Sequence, residues 1–199
     1  MKSIVLSMFL LCQALVLSAQ EEQGKVSDAD WDKLIPHLQN EEWAKAEKIC
    51  KDYLKRFTAT DDSLAEPAIL RYMYIKCVGA RLGAKEYEKS KAEALVKDMV
   101  GKTIITPYRQ FKEKCLFNCF NLSEEKDHLF ATSSNNEATV IHCFEHYFLE
   151  EQDIIANPEG FEGKNLRIAG FVKSIAAGGS AMPRLDIEFE HCFIWDIEE

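Results

Sequence analysis

The first half of the chain places apolar residues at the spacing of an α-helix. From Ser27 to about Lys102 they recur every three or four positions, with charged residues between them. Polar breaks divide this stretch into four segments, which predicts helical hairpins over residues 27–100. Each segment carries an apolar stripe, and the four stripes include Trp31, Trp43, Ile69 and Tyr87. We expect these stripes to form a core, because an amphipathic helix needs such a stripe.

Two of the breaks resemble each other. The segments Asn40–Ala46 and Ala84–Ser90 both place an aromatic residue three positions before a small one. This resembles the inter-helix turn of tetratricopeptide-type repeats, in which the aromatic packs into the hairpin and the small residue lets the helices approach. The two aromatics are 44 residues apart, whereas that repeat has a period of about 34. The likeness therefore covers only the turn and the second helix of each hairpin.

After Gly101 the apolar residues alternate with polar ones, which is typical of strands with one wet face. The predicted order is strand, strand, strand, short helix or loop, strand, strand. The segments are 103–111, 128–132, 138–149, 150–163, 166–172 and 185–189. Residues 106–120 leave an alternative open, because Thr106-Pro107 could cap a helix. Such a helix would carry Tyr108, Phe111, Cys115 and Cys119 on one face.

Three stretches of this half carry a family resemblance: Val140–Phe144, Phe161–Val172 and Leu185–Ile194. A Gly-Lys pair precedes the fourth strand, a glycine lies inside it, and the final strand ends in a turn with a cysteine. In these features the chain resembles the tRNA-anticodon-binding-like OB family. The resemblance implies a small five-stranded OB-like β-barrel over residues 101–197, and it implies no RNA substrate. The expected fold class is therefore α+β, with helical hairpins followed by that barrel.

The N-terminus reads as an export signal. A basic Met1-Lys2 precedes an apolar run from Ile4 to Leu17, and Ser18-Ala19 ends it before a polar stretch. The run is shorter than the ~20 residues of a spanning helix, so we expect no membrane insertion. Lipidation of Cys12 is disfavoured by the bulky leucines before it. We predict removal of residues 1–19 and a periplasmic or secreted protein that begins at Gln20.

Removal of the signal leaves six cysteines, at positions 50, 77, 115, 119, 143 and 192. An exported protein can oxidise them, and six cysteines allow 15 pairings. No Cys-x-x-Cys is present, so neither a thioredoxin-like motif nor a zinc ribbon is indicated. We expect buried free thiols, with Cys50–Cys77 as the first pair to test for a disulfide.

Charge argues against nucleic acid as a partner. The chain has 24 basic and 33 acidic residues, and residues 101–199 hold 9 and 17 of these. Phosphate backbones are bound through lysine and arginine, so we predict no binding to tRNA or single-stranded DNA.

Catalytic and metal motifs are missing from the sequence. His142 and His146 are about 13 Å apart on an extended strand, too far for one ion. Cys143 and His142 point to opposite faces, and no Gly-x-Ser-x-Gly elbow or phosphate loop is present. We therefore expect no enzyme activity, no catalytic residue, no cofactor and no metal.

Two functions remain. The first is a non-catalytic interaction protein whose helical hairpins or barrel loops bind another envelope or secreted protein. The second is an OB-type module for an oligosaccharide or oligonucleotide, with a ligand face that includes Phe117, Phe120 and Phe130 and the loops 123–127 and 176–183. An exposed aromatic strip on the sheet favours the second function, and an apolar groove on the hairpins favours the first.

Overall fold

The computed structural model describes residues 24–198. Within them, the first half contains the four predicted helices. They are α1 (Asp28–Gln39), α2 (Trp43–Leu54), α3 (Ala65–Gly83) and α4 (Lys89–Val96), with single 3₁₀ turns at Ala59–Asp61 and Lys97–Met99. The predicted signal peptide and the mature start at Gln20 lie outside the described residues, so both remain predictions.

The caps explain where these helices begin and end. Ser27 and Asp30 form a reciprocal capping box at the start of α1. The turns after α1 and α3 have the same hydrogen bonds: the amide of Glu42 donates to the carbonyl of His37, and Glu86 does the same to Arg81. This is the Schellman arrangement. The residue before each donor is left-handed, with φ 57° at Glu41 and 61° at Lys85.

A mixed sheet forms the second half. Within residues 24–198 its strands are β1 (Thr103–Ile105), β2 (Arg109–Gln110), β3 (Phe120–Leu122), β4 (Leu129–Ser134), β5 (Ile141–Leu149), β6 (Asn165–Gly178) and β7 (Arg184–Glu198). Their order is β1-β6-β7-β5-β4-β3, with β2 also on β6. All named pairs are antiparallel except β5 with β7. Between β5 and β6 the chain makes the short helix α5 (Asp153–Ala156) and a 3₁₀ turn at Pro158–Phe161.

The sheet corrects part of the prediction. It holds seven strands among the described residues rather than five, and it is not closed. The helix considered for residues 106–120 is wrong, because this region contains β2, the start of β3 and a loop. Thr106 donates its amide to the Ile168 carbonyl at 2.9 Å and accepts that residue's amide on its side-chain oxygen at 3.0 Å. The predicted hairpin loop after residue 176 is shorter, since β6 continues to Gly178.

One hydrophobic core connects the helices to the sheet, with buried members from both. Helix α3 lies directly on β5 where Gly79 meets it. A Cβ at Gly79 would stand 2.7 Å from the His142 carbonyl oxygen and 2.8 Å from the Cys143 sulfur, so only glycine permits this approach. Asp62 joins the first half of α3 to the start of β1 by pairing with Arg71 and Lys102. No helix among residues 24–198 has the length and apolarity needed to cross a bilayer.

Candidate functional site

The outer side of β4 and β5 carries a group of aromatic residues that the core does not use. Strand β5 sends Cys143, Glu145 and Tyr147 inward, where all three are buried. The alternate residues Phe144, His146 and Phe148 are half-buried and face out, as a period of two requires, whereas His142 is buried. These outward residues, together with Phe130 of β4 and His128 just before that strand, make what we call the aromatic face: His128, Phe130, Phe144, His146 and Phe148.

The rings of the aromatic face touch one another in sequence across the two strands. Phe130 lies 5.6 Å from Phe144 and 5.0 Å from His146, centroid to centroid. His128 stacks on Phe148 at 4.6 Å. These separations lie in the range of favourable aromatic pairs. The result is a continuous, half-buried aromatic strip rather than scattered exposed rings.

Two histidines lie within the strip, between Phe130 and Phe148. The Nε2 atom of His128 lies 2.9 Å from Nδ1 of His146, and Nδ1 of His128 lies 2.6 Å from a carboxylate oxygen of Asp127. Burial and the neighbouring His128 lower the pKa of His146. Hydrogen bonds from His128 and Ser123 lower the pKa of Asp127, which stays ionised at neutral pH.

Charged side chains border the strip and are paired with one another. The Arg184 guanidinium lies 3.9 Å from the Phe144 ring centroid, with its Nε 2.9 Å from Asp186. Lys173 lies over Phe148 and pairs with Glu188 at 3.0 Å. Both cations are therefore already neutralised by carboxylates, so the face offers little attraction to an anion.

A cavity of about 470 Å³ opens over the part of the strip that runs from Phe144 to the two histidines. Its lining comes from the loop between β3 and β4 and from the two strands: Asn121, Leu122, Ser123, Glu124, Glu125, His128, Phe130, Phe144 and His146. That volume falls within the range of small-molecule sites. Among the described residues, no three His, Cys, Asp or Glu side chains are grouped as a preformed metal site.

The structure separates the three phenylalanines predicted as a ligand face. Phe130 lies on the aromatic face. Phe120 is fully buried, against Tyr147 and Arg109, and offers no surface to a ligand. Phe117 is 37% exposed but belongs to a different loop. The sequence analysis did not group Phe144, His146 and Phe148. They occupy every second position within residues 141–149, and this alternation could have placed them on one face of the strand.

The cysteines also differ from expectation. Cys115 and Cys119 form a disulfide with a Cα–Cα distance of 6.1 Å, closing the exposed loop that holds Phe117. Cys50 and Cys77 are buried free thiols that touch, since a hydrogen bond with Cys50 is the main cause of the raised pKa of Cys77. The proposed Cys50–Cys77 disulfide stays a prediction.

A second polar cluster is inaccessible and holds the fold. Glu145 accepts hydrogen bonds from Arg109 at 2.5 Å, from Tyr147 at 2.8 Å and from Ser133 at 2.9 Å, and Tyr72 of α3 donates to it at 3.0 Å. Burial opposes ionisation of Glu145, but the Arg109 charge outweighs it and lowers the carboxyl pKa. With both charges buried, this cluster joins α3 to the sheet and reaches no solvent.

Fold and face together define a class: an α+β protein with an aromatic surface on a mixed sheet. No family model, curated protein or solved structure matches the chain. Its function must therefore be argued from the chemistry of the face itself.

Proposed function

We propose that the chain is an exported, non-catalytic binding protein whose aromatic face takes a neutral oligosaccharide. The observation that carries this proposal is the continuous aromatic strip beside a cavity of about 470 Å³. The depressions on the helical part give less support to the protein-partner alternative. One of them is lined by Lys85, Glu88 and Lys89 beside Leu82 and Tyr87, and another by Asp62, Arg71 and Lys102 beside Leu54, Phe57 and Met99. Both mix charged with apolar groups, and each holds a single aromatic ring.

The chemistry of the face suits a sugar better than a nucleic acid. A sugar ring has an apolar C–H face, which can lie on an aromatic ring, and hydroxyl groups at its rim. Glu124, Glu125 and Asn121 beside the cavity can hydrogen-bond to such hydroxyls. The excess of acidic residues after Gly101 repels a phosphate backbone. A neutral oligosaccharide therefore fits both the rings and the charge.

The strand order supports the OB resemblance noted in the sequence. If β1 to β3 together stand for the first OB strand, then β4, β5, β6 and β7 follow as the second to fifth, and the short helix α5 lies between the third and fourth. An isolated parallel bridge joins Phe111, just after β2, to Phe120 at the start of β3. In OB folds the second and third strands and their flanking loops bind oligosaccharides, and here these strands carry the aromatic face.

Export is supported by two independent features. One is the N-terminal pattern of a secretory signal. The other is the Cys115–Cys119 disulfide in an exposed loop, since such bonds persist in oxidising compartments.

The test is titration calorimetry of the chain from Gln20 with maltohexaose, cellohexaose and chitohexaose. We expect one of these to bind, and Phe144→Ala to weaken it. Loss of one ring contact of about 0.5–1.5 kcal/mol corresponds to roughly 2- to 13-fold in affinity. Phe117→Ala is the matched control, since its ring is exposed but lies outside the cavity. Binding that Phe144→Ala leaves intact and Phe117→Ala abolishes would contradict the proposal.

A protein partner remains a second candidate because of the far end of β7. Strand β5 pairs with β7 only as far as Cys192, whereas β7 continues to Glu198. Phe193, Trp195 and Ile197 on this extension are each about two-fifths to half exposed. An extended peptide could add to this edge as a further strand, and the carboxylates of Asp196 and Glu198 would favour one with basic residues.

The second candidate is tested by cross-linking at the extension. A photoreactive residue in place of Trp195 should capture an envelope protein through a basic, extended segment identified by mass spectrometry. The same probe in place of Ile35, an exposed apolar residue of α1, is the control. Equal capture at both positions would argue against the strand extension as a docking site.

A further inference from the structure

The two histidines of the aromatic face meet nitrogen to nitrogen, and the proposed sugar site does not require this. His128 precedes β4 and His146 lies on the neighbouring strand β5, diagonally opposite. Their facing atoms, Nε2 and Nδ1, are 2.9 Å apart. Two neutral imidazoles in this position share a single proton, and a metal ion can take the place of that proton.

Asp127 prepares His128 to act as a ligand. Its carboxylate accepts a hydrogen bond from Nδ1 of His128 at 2.6 Å and another from Ser123 Oγ at 3.0 Å. With Nδ1 protonated, neutral His128 presents a lone pair on Nε2, directed at His146. A histidine ligand held through its other nitrogen by a carboxylate is the usual second-shell arrangement of protein metal sites.

The distance between the rings is close to what a tetrahedral ion needs. With zinc–nitrogen bonds of 2.0–2.1 Å, two ligand nitrogens stand about 3.3 Å apart. The observed 2.9 Å must widen by only about 0.4 Å. Widening is feasible because Asp127, which fixes His128, lies in an exposed loop.

Further ligands lie within the same cavity. Glu124 and Glu125 line it with the two histidines, and both are exposed and free to change rotamer. Glu125 already contributes to the electrostatic field at His146. Imidazole with carboxylate or water is a ligand set typical of zinc and its neighbours in the first transition row.

We propose that His128 and His146 form the fixed half of a divalent transition-metal site, which Glu124 or Glu125 completes when the ion binds. The proposal departs from the sequence-based expectation of no metal. That expectation compared His142 with His146 along one strand, whereas the partner of His146 comes from the strand beside it. The proposal is independent of the sugar, because it concerns the metal alone.

The test is a competition titration of the tag-free chain from Gln20 with Zn²⁺ against a chromophoric chelator. We expect one ion per chain with a Kd of about 1 μM or lower. His128→Gln and His146→Gln should each weaken binding at least about 100-fold. Asp127→Asn, which removes only the positioning group, should weaken it about 10- to 100-fold. His191→Asn is the control, since His191 is exposed on β7 and asparagine tolerates its positive φ.

A second measurement keeps the proposal testable if a variant fails to fold. X-ray absorption of the wild-type zinc complex should show two imidazole nitrogens at about 2.0–2.1 Å. The absence of stoichiometric binding would overturn the proposal, and so would binding that both histidine variants retain or a spectrum with oxygen ligands only.

Discussion

His142 should make the free energy of unfolding decrease as the pH is lowered, at pH values above those at which the carboxylates titrate. The side chain is fully buried between α3 and the sheet, and it meets Trp43 edge-on with ring centroids 4.9 Å apart. Among the described residues, neither ring nitrogen has a hydrogen-bond partner. Burial, with a smaller contribution from Lys76, lowers the pKa of His142 to about 3. The folded protein therefore keeps this imidazole neutral where the unfolded chain protonates it.

The sign of the effect follows from proton linkage. An unfolded histidine titrates near 6.5, so above that pH both states are neutral and the full stability is present. As pH falls from about 6.5 towards 3, the unfolded state binds the extra proton and the free energy of unfolding decreases. At 1.36 kcal/mol per pH unit the loss reaches about 2 kcal/mol at pH 5.

The assay is urea unfolding of the chain from Gln20 at pH 7.5, 6.5, 5.5 and 5.0. Wild type should lose about 2 kcal/mol through His142 over this range, and His142→Leu should lose that much less. The variant should also gain about 1–3 kcal/mol at pH 7.5, because an apolar side chain replaces an unpaired polar one. Paired carboxylates such as Glu145 contribute only below about pH 5.

Two controls separate His142 from the other histidines. His146→Gln reports the smaller dependence from the lowered pKa of that group. His191→Asn removes an exposed histidine of β7 and serves as the surface control. If His142→Leu and wild type lose stability in parallel between pH 6.5 and 5.0, the reasoning about the buried ring is refuted.

Four other outcomes follow from the structure. Glu145→Gln should destabilise the fold by about 3–5 kcal/mol in urea unfolding, because it leaves Arg109 buried and unpaired; a loss below 1 kcal/mol would contradict this. Lys85→Gly should stabilise by about 0.5–1 kcal/mol, because glycine relieves the left-handed backbone, and any loss would count against it. Replacing Cys115 and Cys119 by serine should cost at most about 2 kcal/mol, as the closed loop is short; a larger loss would mean that the loop supports the core. Fluorescence anisotropy with tRNA or single-stranded DNA should show no binding at physiological salt, and micromolar affinity that weakens steeply with salt would disprove the charge argument.

Local patterns predicted the elements well, because helix and strand periods are properties of neighbouring residues. The helical stripes, the alternation over 138–149 and the alternation over 185–189 all correspond to observed elements. The two hairpin turns that look alike in the sequence also have equivalent backbone hydrogen bonds. The ends of the strands were predicted less accurately. Strands β6 and β7 pair with each other beyond the segments in which apolar and polar residues alternate clearly, so both strands are longer than predicted.

The candidate site depends on contacts that a linear pattern does not contain. His128 and His146 are 18 residues apart, and they meet only because β4 and β5 pair in one register. The burial of Phe120 likewise follows from its place beside Tyr147, not from its own segment. Cys115 and Cys119 have three residues between them. They therefore do not match the Cys-x-x-Cys motif, and the sequence did not single them out as a pair.

The most direct test of the proposed function is where a sugar contacts the protein. Maltohexaose, cellohexaose and chitohexaose are added in turn to the ¹⁵N-labelled chain from Gln20, and amide shifts are followed by NMR. We predict saturable shifts with at least one probe, centred on Phe130, Phe144 and His146 of β4 and β5. No shift with any of the three, or shifts confined to α1–α4, would contradict the account.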